Sequence, residues 1–152
     1  MPNTPDTYGR SIQLGASRRR LEDARVLHSQ KRWNGAIYMG GYAVECALKS
    51  LICYQEPTNN FKDTKVFKQG LKGSDLHSLI KLLDALPNIQ RVIESPQINN
   101  PYRQAWITVT SLWKNDELRY SNRMGDETEA NKFINAVEIL HRYLLSKQGE
   151  SQ

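Results

Sequence analysis

The sequence predicts an all-α fold, an antiparallel bundle of four to five helices, and three observations carry that prediction. One long stretch, at about 33–54, repeats apolar side chains at three- and four-residue spacing. Four further segments show the same period, and no strand-like alternation or internal repeat competes with it. Amphipathic segments joined by short to medium connections bury their stripes most economically against one another.

Residues 1–16 combine Pro2, Pro5, Gly9 and Gly15 with few apolar side chains, which predicts an N-terminal arm and places the bundle at 17–148. Ser17 is the expected cap of a first helix carrying Arg18, Arg19 and Arg20, with Leu21, Ala24 and Leu27 on a narrow apolar side. The second helix shows Trp33, Ala36, Ile37, Gly40, Val44, Ala47, Leu48 and Leu51 on one face. A second row, Tyr38, Tyr42, Glu45, Lys49 and Ile52, runs beside it, so this helix is expected to be central and covered on more than one side. Each of Gly40 and Gly41 costs up to about 1 kcal/mol inside a helix, which fits a place where a neighbour approaches the backbone closely.

From Pro57 to Gly73 the period lapses into a segment bearing Lys62, Lys65, Lys68 and Lys72, read as a long loop or irregular helix. Ser74 or Asp75 is the expected cap of a third helix, with Leu76, Leu79, Ile80, Leu83 and Leu86, which Pro87 ends. A linker at 88–101 follows. Pro101 then opens a fourth helix with Tyr102, Ala105, Trp106, Val109, Leu112 and Trp113, a position where proline is tolerated. Asp126 and Glu129 form a capping-box pattern before a fifth helix through Phe133, Ile134, Val137, Leu140 and Leu144.

Cys46 and Cys53 lie seven residues apart on the same predicted helix, about 10 Å along its axis, too far for a bridge. They read as small buried hydrophobes of a reducing compartment. No apolar run approaches the roughly 20 residues of a membrane span, and residues 1–16 lack the apolar core of a signal peptide, so a cytoplasmic protein is expected. The net charge of +5 favours acidic partners such as nucleic acid and is equally compatible with an ordinary surface.

No HExxH, CxxC, Walker A, GxGxxG or GxSxG pattern is present. Three scattered histidines and two helical cysteines have no metal-ligand spacing, so neither metal nor cofactor is expected. Two polar groupings stand out on otherwise apolar helices. Glu45 and Lys49 form an i, i+4 pair in the favourable order beside Tyr42. Between the fourth and fifth helices, Arg119 and Arg123 can present guanidinium forks to phosphate while Tyr120 stacks on a base. An Arg119 that pairs with Glu45 or caps a helix end fits the sequence as well.

The stretch 35–51, GAIYMGGYAVECALKSL, resembles the second helix of HEPN domains, with their alanine-rich run through a glutamate to Leu-Lys. Further pieces follow in the family's order: Asp75-Leu76-His77-Ser78-Leu79 is similar to its histidine-containing helix start, Leu118-Arg119-Tyr120 to its Arg-Tyr element, and Glu127 to Leu145 to its closing helix. The resemblance covers about 17–147. It implies a minimal HEPN protein: a homodimeric helical bundle that binds nucleotide or RNA in a toxin–antitoxin or defence module, often beside a minimal nucleotidyltransferase partner. It places Arg119, Tyr120 and Arg123 at the binding site, with Tyr42, Glu45, Lys49 and His77 in support.

Active members carry an Arg followed by four to six residues and then a His. Cleavage through the ribose 2′-hydroxyl needs proton transfer and a cation near the phosphorane. Here Arg119 is followed at that spacing by Met124, Gly125 and Asp126, and Arg123 by Thr128, Glu129 and Ala130. Neither register supplies an imidazole, although His77 or His141 can come from another helix. Binding of nucleotide or RNA is therefore the expected function. A non-catalytic dimerisation or protein-interaction module is the first alternative, a metal-independent ribonuclease the second.

Overall fold

A computed structural model describes residues 6–113 and 126–150. Among the described residues, four long helices form the bundle: α1 (Arg10–Ser29), α2 (Trp33–Gln55), and, further along the chain, the two that succeed three short pieces. The short pieces are α3 (Lys65–Lys68), α4 (Leu79–Asp84) and α5 (Pro87–Ile93). The last long helices are α6 (Pro101–Leu112) and α7 (Glu127–Ser146). Two 3₁₀ turns, Phe61–Asp63 and Gly73–His77, interrupt the middle of the chain, and no strand occurs among the described residues.

The second helix is the hub. Every residue from Ala43 to Cys53 is buried, and α2 packs against α1, α4, α7 and the Phe61 turn. Its Leu48 and Leu51 meet Phe133, Leu140 and Leu144 of α7, Leu82 and Leu83 of α4, and Phe61 in one core. Gly40 lets α7 come close: a Cβ there would stand 2.9 Å from the Phe133 ring and 3.3 Å from Val137. Both Cys46 and Cys53 are buried free thiols.

The first helix begins at Arg10, earlier than the expected cap at Ser17. Residues 10–16 of the predicted arm are therefore its first turns. Tyr8 and Asn59 hold that end by backbone bonds, Phe61 N to Tyr8 O at 2.8 Å and Arg10 N to Asn59 O at 2.7 Å. Ser17 is inside the helix and fully buried, donating to Leu14 O and lying 3.1 Å from His141 Nε2 on α7. The helix ends in a tight reversal: Arg32 N bonds Leu27 O, Lys31 N bonds His28 O, and Lys31 takes a positive φ of 61°.

The expected third helix and linker are divided differently. Ser78, not Ser74 or Asp75, caps α4 by accepting from Lys81 N, and the residues before it, including His77, form the 3₁₀ turn. The helix expected to run to Pro87 ends earlier, α4 closing at Asp84, and Pro87 is instead the first residue of α5, a helix that runs into the predicted linker and buries Ile89 and Ile93. The last two helices start as expected, α6 at Pro101 under an Asn100 cap and α7 under Asp126, which accepts from Thr128 N and Glu129 N.

Candidate functional site

The face of α2 that turns toward the Gly73–His77 turn and the end of α6 carries a close grouping of polar and aromatic side chains. Helical spacing places Tyr38, Tyr42, Glu45 and Lys49 along one row. Glu45 and Lys49 are 3% and 5% exposed, and Lys49 Nζ donates to Glu45 Oε2 at 3.1 Å. A charged pair this deep holds only because its partners are close and aligned. The Lys49 ammonium also lies over the Phe61 ring, 5.6 Å from its centroid.

His77 completes the carboxylate's shell. Its Nδ1 stands 3.1 Å from Glu45 Oε1 and 3.3 Å from Oε2, while 46% of its side chain is exposed. A carboxylate oxygen accepts, so Nδ1 donates and the neutral tautomer leaves the Nε2 lone pair outward. Among the supporting residues expected from sequence, Glu45, Lys49 and His77 are thus joined through one carboxylate, and Tyr42 stands beside them, its ring edge-on to His77 at 6.2 Å.

Two further side chains belong to the site and were not singled out for it by the sequence. Trp113, the residue capping α6, reaches back across α2: its Nε1 donates to Tyr38 O at 3.1 Å and its ring meets Tyr42 edge-on at 5.3 Å. Gly41 makes the seat, since a Cβ there would stand 2.0 Å from the indole nitrogen. Tyr38 extends the aromatic corner, its ring 5.0 Å from Tyr42 and the two hydroxyls 3.3 Å apart. The glycine pair was the visible signal: two adjacent glycines in a helix interior mark two close approaches, one by α7 and one by this indole.

Arg119, Tyr120 and Arg123 lie outside the described residues. In sequence, the segment that carries them joins Trp113 to Asp126.

Beside the carboxylate, Cys46 is no nucleophile: burial first, and then the Glu45 charge, push its thiol up to about 12. His141 is apart from the site, buried between α1 and α7. Among the described residues no group of three His, Cys, Asp or Glu side chains is placed to hold a metal ion, and no helix is long and apolar enough to cross a membrane. What the arrangement offers is an aromatic corner for ring stacking next to an oriented, solvent-facing imidazole. The family model described as HEPN domain matches residues 13–148. No curated protein and no solved structure matches the chain.

Proposed function

The chain belongs to the HEPN domain family, and from that premise we propose that it binds RNA or nucleotide at the corner formed by Tyr42, Glu45, Lys49, His77 and Trp113. In this reading Arg119 and Arg123 hold phosphate by bidentate charge-assisted bonds and Tyr120 stacks on a base. The observation that carries it is the docking of Trp113 on Tyr38 and Gly41, beside Tyr42 and the Glu45–His77 contact. Arg119 follows Trp113 by six residues in the sequence. The biological setting proposed is a toxin–antitoxin or defence module, the chain acting as a homodimer beside a minimal nucleotidyltransferase.

The test is binding of labelled single-stranded RNA and of nucleotides at increasing salt. Affinity falls as salt rises, because phosphate contacts release counterions. Arg119→Ala weakens binding about tenfold or more while the thermal midpoint stays at the parent's value. An Arg119→Ala protein that binds like the parent refutes the assignment. One that no longer folds, from a parent with no affinity for RNA or nucleotide, supports instead the protein-interaction module, in which the arginines are structural.

A further inference from the structure

We propose that the cleft between the end of α5 and the start of α6 is a docking site for a short acidic and apolar peptide segment of a partner protein. The cleft is open, about 430 Å³ in volume, and Arg91, Val92, Gln97, Ile98, Asn99 and Tyr102 are among the residues that line it. It lies apart from the corner at Trp113: the two stand at opposite ends of α6, about 18 Å apart at the usual helical rise. The proposal is therefore independent of the binding of RNA.

The apolar part of the cleft is preformed. Ile98 is 91% exposed and Val92 42%. The loop that displays Ile98 is pinned: Asn100 Nδ2 donates to Val92 O at 2.9 Å and to Ser95 O at 3.1 Å, and Asn100 N donates to Gln97 O at 3.3 Å. Tyr102 is braced from the side of the bundle by stacking on Tyr143, their centroids 4.3 Å apart. A single exposed isoleucine is ordinary on a protein surface. One presented by a pinned loop beside Val92 and a braced aromatic ring is a seat for an apolar side chain, with its ordering cost already met.

The polar part points to a peptide. Among the described residues, the side-chain amides of Gln97 and Asn99 make no hydrogen bond. Each offers a donor and an acceptor, the pair that a peptide group presents in return. Charge sets the sign of the occupant. From 85 to 113 the chain carries Arg91 and Arg103 against one acid, Glu94, which does not line the cleft. Arg91, and Arg103 in the first turn of α6, are exposed and form no ion pair among the described residues. The helix end itself is no anion site, since Pro101 has no N–H and Asn100 already accepts from Tyr102 N and Arg103 N. A carboxylate of the partner thus meets a guanidinium while its apolar neighbour sits on Val92, Ile98 and Tyr102. A free small molecule would keep much of its surface in water in so open a cleft, whereas a peptide is carried there by the rest of its protein.

The experiment selects a displayed library of random decapeptides on the full chain and measures the enriched peptides as labelled synthetic probes. Enrichment of peptides with Asp or Glu beside a large apolar residue is expected, with micromolar dissociation constants. Ile98→Asp and Arg91→Glu should each weaken binding about tenfold or more, at the parent's thermal midpoint because both side chains are exposed. Changing the acid of the peptide to Lys should weaken binding to the parent and restore it to Arg91→Glu, to within about threefold of the original pair. No enrichment, enrichment of peptides without acids, or binding that neither substitution moves overturns the proposal. A parent whose self-association is lost in Ile98→Asp assigns the cleft to a second copy of the chain, and an RNA affinity that falls about tenfold in Arg91→Glu assigns it to nucleic acid. Either result overturns the peptide reading as well.

Discussion

Burial leaves His141 no room for a second proton. The side chain is 1% exposed against Ser17, and desolvation first, then the nearby Arg18 and Arg25 charges, bring its pKa down to about 4. The unfolded chain, near the ordinary 6.5, binds more protons between those values, so the stability due to neutral His141 is complete above pH 6.5 and is lost as pH falls toward 4. Urea unfolding between pH 7.5 and 5 should show a loss on the order of 2 kcal/mol from this group, and His141→Gln should remove that part of the slope. An unchanged slope in the variant would place the proton uptake elsewhere. The contrast with His77 shows how position decides a histidine's use: the same residue type is locked neutral in the core at one site and set on the surface against a buried carboxylate at the other.

At the scale of elements, the α1–α2 reversal puts a lysine where a left-handed backbone is required. Lys31 has φ of 61° with both reversal bonds formed, and glycine is the residue that adopts this conformation without a Cβ penalty. Lys31→Gly should raise unfolding free energy by about 0.5–1 kcal/mol, measured by denaturant midpoint at unchanged slope; a lower midpoint would refute the reading. Helices α2, α6 and α7 were legible in the sequence because an apolar period of 3.6 coincides there with a clean boundary: Pro101 for α6, the Asp126 cap for α7. The start of α1 was not, because Gly9 and Gly15 look like breakers and the buried face passes through a polar residue, Ser17, whose hydroxyl is satisfied by Leu14 O and His141. The division of the middle segment was hidden for a related reason. Leu76 to Leu86 keep a helical period, yet the Ser78 hydroxyl captures Lys81 N and restarts the helix there. In the site, Tyr42, Glu45 and Lys49 were readable as one row of one helix. His77 was grouped with that row by the family resemblance, whereas the joining of Trp113 to it depends on tertiary packing that only the glycine pair hinted at.

For the whole molecule, the N-terminal residues close the bundle. Arg10 donates to Gln148 Oε1 at 3.1 Å, Gln148 donates to Ser50 Oγ at 2.9 Å, and the Arg10 guanidinium lies over Tyr54, so the first helix, the residues after the last helix, and the hub meet in one polar chain. Leu14 adds a buried side chain, and Tyr8 packs edge-on to Phe67. A chain beginning at Ser17, where the sequence alone set the start of the bundle, should therefore lose more than about 3 kcal/mol, from one buried leucine and several hydrogen bonds. A chain beginning at Asp6 keeps all these contacts. Thermal melts of the two separate the cases, and equal midpoints would show residues 6–16 to be dispensable. The two buried thiols carry a consequence of another kind. Cys46 and Cys53 both sit on α2, shielded from solvent, and Cys46 has its ionisation suppressed as well. A thiol reagent meets them only when the hub opens, so under native conditions the labelling rate is an internal clock for that opening. Any ligand seated on the Tyr42 face stabilises the closed form and slows the clock, which makes occupancy readable from two cysteines that touch no ligand at all.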